Sequence, residues 1–493
     1  MGKIFQGKSV SCMSNDSLCY LKNAITHLIN TGEINQALKL INEFVERIIT
    51  EPLCTSQAFA SRDLDQLCMR IGRQNLSGLS ARQEDSWPLR TSRSRIVYVV
   101  SRFERSGGHS RLVLDFIRAQ PDKYHLILST CVGGPTDEDY LSKMFADDDS
   151  VRYLAAPHTD LQSRLTWLQS ILVGTQPEHI YLLNHHQDSV AVAALVPELG
   201  LKGSFIHHGD HHLCLGVHMS HLKHVDLHPM GYHYCHDELG IDNRYLPLTF
   251  EDKHFLPVHT EFASRGGLTT ATAAGFNKVE IPYYVSYLDI IPRVMKVTGG
   301  HHIHIGKLTP WARRRLRANM SKNGVPQERL IYIEWTPSVW KSLQENAVDV
   351  YIGSFPYGAG LTLIEAMGAG VPIIMHQHMY SRVLSGLELA YPEAFRWADP
   401  EELFAHLASL EPERLKGEKR LSRQRYEAFH RPEILSAYLR DPDSMQLPIP
   451  PLTSDFKPRY DEWAHWAASQ LSFSRLAYRL AYRTWRRLRS LLS

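Results

Sequence analysis

Short apolar, β-branched runs alternate with helix-patterned segments along most of this chain, in two successive blocks. Ile96-Val97-Tyr98-Val99-Val100 is one such run, with the composition of a strand buried on both faces. Tyr124–Leu128, His179–Leu183 and Ser204–His207 repeat it, and helical stretches lie between, the first from Ser110 to Ala119. The pattern restarts after about residue 256, with strands expected at His301–Ile305, Leu330–Ile333, Val348–Ile352 and Pro372–Met375. Helices are expected near Val285–Val297, Trp311–Asn323, Val339–Asn346 and Leu361–Met367. Strand, turn, helix, strand is the signature of a parallel α/β sheet. Ligands of such sheets bind outside the carboxyl ends of the strands, so two facing sheets would place a cleft between them.

The flanks read differently. Residues 16–50 pattern as two helices separated by Thr31-Gly32-Glu33, an αα-hairpin. Residues 72–94 are polar and aperiodic, as in a linker, and residues 441–458 are proline-rich. Beyond them Phe473, Leu476, Leu480, Trp485, Leu488 and Leu492 share one helical face, with Arg475, Arg479, Arg483, Arg486, Arg487 and Arg489 largely off it. An arginine-rich amphipathic helix over 471–493 suits the headgroup plane of an anionic membrane; docking on the protein or on another subunit is the alternative.

Composition narrows the function classes. A formal net charge of +2 over 493 residues supplies no global field for nucleic acid, so none is expected as a partner. The seven cysteines are scattered and form no C-x-x-C pair, which predicts reduced thiols in a cytoplasmic protein. Residues Met1–Val10 lack a signal-peptide core, and Gln6 stands where myristoylation of Gly2 needs Ser or Thr. No run of about 18 apolar residues would span a bilayer.

The most informative segment is Gly353-Ser-Phe-Pro-Tyr-Gly-Ala-Gly-Leu-Thr-Leu-Ile-Glu-Ala-Met-Gly-Ala-Gly-Val-Pro372. A strand ends at Ile352, and a glycine-rich loop opens into a helix. Free amides of Gly360, Leu361 and Thr362 would point at an incoming ligand, and the helix dipole favours an anion such as a diphosphate there. Glu365 lies one turn inside, within reach of a ribose hydroxyl.

This string resembles the donor-site signature of glycosyltransferases with the GT-B fold, above all the family-four group, and the likeness runs from Arg95 to about Arg425. The resemblance implies α/β architecture with two Rossmann-like domains facing a cleft, a small helical N-terminal region and the C-terminal amphipathic helix. The corresponding domains are 1–90 (helical region and linker), 91–255 (acceptor domain), 256–435 (nucleotide-sugar donor domain) and 436–493 (linker and basic tail). Glu365 matches the second Glu of the E-x7-E motif, whereas Tyr357 stands at the first. The stretch Asp349–Pro372 is also distantly similar to the protein O-GlcNAc transferase group. By the same resemblance Lys278, in Ala274-Gly-Phe-Asn-Lys278, neutralises the leaving diphosphate; a surface lysine is the alternative. Glu334 and Trp335 fall where related enzymes hold the nucleobase, although Trp335 would also suit packing. Gly108, in Ser106-Gly-Gly-His-Ser-Arg111, lets backbone approach the donor phosphates, and His109 is either a polar contact or an ordinary helix-start residue.

His207-His-Gly-Asp-His-His212 follows the strand Ser204–Ile206. The segment from His208 to Gly216 is similar to a histidine–aspartate motif of some bacterial GT-B enzymes, beside the transferred sugar. His208, Asp210 and His211 are therefore the candidate catalytic residues, a carboxylate orienting an imidazole as general base. Polar packing and a metal site with His218, His221, His224 or His228 are the alternatives. No Cys or Glu stands at zinc-finger or H-E-x-x-H spacing, and the resemblance implies no metal or cofactor, only a UDP- or GDP-type nucleotide diphosphate sugar as donor. The function expected is transfer of that sugar to a saccharide or lipid-linked acceptor in bacterial envelope glycan synthesis, at the inner face of the cytoplasmic membrane. A protein acceptor, or a nucleotide-sugar-binding scaffold without turnover, are the alternatives.

Overall fold

A computed structural model describes residues 15–51, 54–79, 93–105, 108–253, 266–442, 445, 447–469 and 484. Thirteen strands are found among them: β1 Arg95–Val100, β2 Tyr124–Ser129, β3 Val151–Ala155, β4 His179–Leu183, β5 Gly203–His207, β6 Lys223–Asp226, β7 Asn243–Tyr245, β8 Thr270–Ala273, β9 His302–Ile305, β10 Leu330–Ile333, β11 Val350–Ile352, β12 Ile373–His376 and β13 Phe395–Trp397. They form two sheets, ordered β3-β2-β1-β4-β5-β6-β7 and β10-β9-β8-β11-β12-β13. Both are parallel throughout, with Val97 registered against Leu126 on one side and Ile180 on the other. Helices cover both faces, so β2 and β12 are buried at every residue, the condition under which all-parallel sheets are stable. The two α/β blocks read from the sequence are these two Rossmann-like sheets. The expected central strands recur within a residue or two, while β3, β6, β7, β8 and β13 are additional.

Each sheet belongs to its own compact unit. Among the described residues, the first takes those up to Leu227 with Gly231–Leu246, the second His228–Met230 with Pro247–Ala468. The division thus falls ahead of the expected 255/256 boundary. It also gives 436–468 to the second unit, where Tyr460 and Trp463 of the helix Tyr460–Ser469 enter the core. Among the proline-rich residues, Thr453 accepts a hydrogen bond from Arg382, so the described part of this stretch is docked chain and not a free linker. The basic amphipathic tail expected over 471–493 lies outside the described residues except for Thr484. No described helix is long and apolar enough to cross a membrane.

The N-terminal hairpin is present as Asn15–Asn30 and Ile34–Thr50, and a third helix, Arg62–Ser77, takes in the first residues of the expected linker. Ile25, Leu38, Ile41, Val45, Leu64, Cys68 and Ile71 share one apolar core with β1, β2 and β4. The region is therefore part of the first unit and not an appendage to it. Gly72 allows the contact: a Cβ there would lie 1.8 Å from the Ala193 carbonyl oxygen, an approach only glycine permits. Cys54 is disulfide-bonded, a departure from the all-thiol expectation, whereas Cys19, Cys68, Cys131, Cys214 and Cys235 are free.

Asp65 locks this helical region to the sheet. Fully buried, its carboxylate accepts the Gly216 amide at 2.7 Å and the His218 amide at 2.9 Å. Burial nevertheless outweighs these bonds and raises its pKa from 3.8 to about 7. The folded chain keeps a proton that the unfolded chain releases near pH 4, so this group's contribution is complete below that pH and lost as pH rises through about 7. In urea denaturation, Asp65→Asn should remove a slope of up to about 1.4 kcal/mol per pH unit within that window. Parallel wild-type and variant profiles from pH 4 to 8 would show that Asp65 does not titrate with folding.

Candidate functional site

A parallel sheet whose strand order reverses opens a crevice at the carboxyl ends of the two strands flanking the reversal. In the second sheet these strands are β8 and β11. Chain leaving β8 supplies Ala274–Lys278, and chain leaving β11 supplies the glycine-rich loop. The structure brings them together: Lys278 Nζ donates to the Gly358 carbonyl at 2.7 Å, and the Tyr357 amide reaches the Lys278 carbonyl at 3.4 Å. A Cβ on Gly358 would stand 3.0 Å from the carbonyl oxygens of Leu384 and Ser385, which explains glycine there. Lys278 is partly buried, and desolvation lowers its pKa to about 8. A poorly solvated ammonium gains from any anion that arrives.

The loop opens into the helix Leu361–Gly368, which no side chain caps. Residues 357–362 are partly exposed while 363–370 are buried, so the helix start is the accessible end. Among the described residues no protein acceptor takes the amides of Gly360, Leu361 or Thr362. The Thr362 hydroxyl donates to the Ala273 carbonyl at 3.3 Å and accepts from Tyr351 at 3.1 Å, pinning the helix start to the end of β8. Glu365 is buried, and its Oε2 accepts the Trp340 amide at 3.1 Å and the Ser338 hydroxyl at 3.4 Å. It thus steadies the start of the neighbouring helix Val339–Glu345, a structural task the sequence did not suggest. Glu334 and Trp335 both follow β10 at the surface; the indole is 53% exposed, which disfavours the packing alternative.

In the first sheet the order reverses between β1 and β4. Gly108 opens the helix Gly108–Arg118 and is exposed. The His109 ring reaches back, its Nε2 donating to the Leu183 carbonyl at the end of β4 at 2.6 Å. It lies 4.7 Å from the His208 ring and 4.8 Å from the His185 ring. His109 is therefore a site contact and not merely a helix-start residue. Burial, then neighbouring charge, lowers His109 to about 4 and His185 to about 3, and moves His208 well below the usual value. Three neutral imidazoles thus line this crevice.

The expected His–Asp pairing is placed otherwise. Asp210 is buried beside Gly231 and lies 3.8 Å from the His211 imidazole, whereas His208 turns to His109 and His185. His211 is half-exposed and packs edge-on against His186 at 4.7 Å. His185 was missed from sequence, although His185-His186 just beyond β4 was available as a signal. Its backbone is set by a buried network: Ser101 and Thr130 hydroxyls donate to Asp188 at 2.6 Å each, and the His185 amide donates to Ser101 Oγ at 2.8 Å. His302 and His304 bond to the buried Tyr287 hydroxyl, a structural role.

No family model matches the sequence, and no curated protein matches it. Solved structures do match. Anabaena HepE in complex with UDP is 11% identical, with a TM-score of 0.54 over 71% of this chain and 99% of that one. The lipopolysaccharide outer core galactosyltransferase WaaB, in apo form, is 13% identical with a TM-score of 0.52 over 70% and 98%. The chain has the GT-B fold. An O-GlcNAc transferase of Thermobaculum terrenum, 16% identical with a TM-score of 0.50, extends the match to 86% of this chain and 83% of that one. Within this GT-B chain, the two crevices carry the Lys278 and glycine-loop group in one Rossmann-like domain and the histidine group in the other.

Depressed pKa values make the histidine group an acid-sensitive element. The folded state binds fewer protons than the unfolded one, so its stability is intact above about pH 6.5 and is lost as pH falls toward 4 and 3. In nitrogen-15 NMR spectra of the folded chain, His109 and His185 should keep neutral-imidazole shifts at pH 6. Protonation of both at that pH would refute the neutral cluster.

Proposed function

We propose that this chain is a glycosyltransferase that moves a sugar from a UDP- or GDP-type nucleotide diphosphate sugar to a saccharide or lipid-linked acceptor in bacterial envelope glycan synthesis. The observation that carries the reading is Lys278, a desolvated cation on the glycine-rich loop beside an uncapped helix start. A diphosphate seated there meets the ammonium and the amides of Gly360, Leu361 and Thr362. As the bond from the sugar's anomeric carbon to the diphosphate oxygen breaks, charge grows on that oxygen where fixed donors already point. The acceptor hydroxyl forms the new bond and gives its proton to a base; the neutral imidazoles of His208 and His109 suit that task. Glu365 would take a ribose hydroxyl, and Glu334 and Trp335 would border the base. The UDP bound to HepE supports the donor class. The tail 471–493 would hold the enzyme at an anionic membrane surface.

Titration calorimetry with UDP and GDP tests the donor site. Lys278→Met should weaken the preferred nucleotide about 10- to 100-fold, the worth of one charge-assisted contact. Wild-type affinity should fall as pH rises through about 8, where Lys278 loses its proton, and the pH dependence should vanish in the variant. Equal affinity in wild type and Lys278→Met would reject this site.

A second reading, transfer to a polypeptide, is favoured by the wider match to the O-GlcNAc transferase, 86% of this chain against 70% for WaaB. It also suits a helical region built into the first core. Mass spectrometry of proteins co-expressed with the enzyme separates the two: sugar adducts on polypeptide support the second, and adducts only on extracted lipid or glycan support the first.

A further inference from the structure

One group of polar side chains in the first unit has no part in the chemistry above. His207, His224, Asp226 and Cys235 are all buried, between 0% and 5% exposed. Their position follows from backbone register. His207 on β5 pairs directly with Asp226 on β6, and His224 lies two residues before Asp226 and so shares its face. Cys235, in the π-helical turn Tyr234–Glu238, closes the group. One donor atom from each residue lies within 4.8 Å of all the others.

We propose that these four side chains form a tetrahedral binding site for a zinc-class divalent cation. Bond lengths of about 2.0–2.3 Å from zinc to N, O and S place neighbouring donors roughly 3.3–3.7 Å apart. Cys235 Sγ lies 3.6 Å from His207 Nδ1, and His224 Nε2 lies 3.3 Å from Asp226 Oδ2. With Oδ2 as the ligating oxygen, the direct hydrogen bond from His207 Nδ1 to the other oxygen, Asp226 Oδ1, at 2.8 Å gives way as Nδ1 turns its lone pair to the cation. His224 Nε2 is buried and makes no hydrogen bond despite its proximity to the carboxylate; it faces Asp226 without the alignment of a donor. Asn243 donates to Asp226 Oδ2 at 2.6 Å, the kind of outer contact that orients a ligating carboxylate.

Charge and donor type agree. A doubly charged cation is balanced by the Asp226 carboxylate and the Cys235 thiolate, leaving a neutral buried site. The Cys235 thiol gives up its proton to solvent on binding, and the His207 proton moves from Nδ1 to Nε2, leaving the Nδ1 lone pair to ligate. A sulfur and two imidazole nitrogens select zinc-class ions over magnesium or calcium, which demand oxygen. All four positions are filled by protein, so the site is structural: it would tie β5 and β6 to the turn that follows them.

The full chain is stripped with a chelator under reducing conditions and titrated with cobalt(II), and separately its zinc content as purified is measured by mass spectrometry. We expect about one equivalent of metal per chain, with intense visible bands of tetrahedral cobalt and a near-ultraviolet sulfur-to-cobalt charge-transfer band. Cys235→Ser should abolish the charge-transfer band, and zinc should raise the melting temperature of the stripped wild type. A wild type that binds no stoichiometric metal would mean that the group is only a buried hydrogen-bonded ion pair, and would overturn the proposal. So would a folded Cys235→Ser protein that keeps the charge-transfer band. If Cys235→Ser fails to fold, the wild-type cobalt spectrum decides alone.

Discussion

Burial of two parallel sheets on both faces governs the rest of this molecule. A strand covered above and below admits a polar side chain along its length only where a partner satisfies it, so most chemistry is pushed to where strands end. The carboxyl ends collect the backbone that must turn toward the next helix. Where strand order reverses, adjacent turns diverge and leave room. Lys278 and the glycine-rich loop leave one such reversal, His109 and His185 the other. The positions of the candidate site residues are consequences of topology, and the side chains tune what topology has already grouped.

The polar groups admitted into this apolar frame are secured, and the manner differs with their task. Asp188 takes the Ser101 and Thr130 hydroxyls and the Ala191 amide, so three crevice turns are tied through one carboxylate. Removing one member would leave the others buried without partners, which costs more than the bond itself is worth. Glu365 serves in the same way at the start of the helix Val339–Glu345. Lys278 is the contrast. Its ammonium rests on a carbonyl and desolvation alone acts on it, an arrangement that an incoming anion improves.

Central strands were legible in the sequence because full burial writes a continuous apolar run, as in β1 and β4. The strands that were not legible failed for identifiable reasons. β8 is Thr-Ala-Thr-Ala, central in its sheet but too small-sided to mark itself by hydrophobicity. β6 is Lys-His-Val-Asp and looks like a loop, because His224 and Asp226 answer a histidine on the neighbouring strand. β7 and β13, three residues each, lie at sheet edges. The loop at 353–360 was legible because a glycine-rich strand-to-helix junction carries its own backbone requirement. His185 was not, since its meaning arises only when β4 and β5 lie side by side. The structural task of Glu365 likewise depends on a helix that is distant in sequence.

The histidine-rich segment shows most directly why composition alone misleads. His207 and His208 are neighbours in sequence, but successive side chains at the end of a strand point to opposite faces. His207 turns inward to Asp226, in register on β6. His208 turns to the crevice and stacks on His109. One ring therefore sits against a buried carboxylate, and the next sits among imidazoles and apolar wall, where burial favours its neutral form. A single run of polar letters has been divided by the pleat into two environments. The crevice keeps neutral imidazoles, and the Asp226 carboxylate stays on the far side of the strand, where it ties β5 to β6.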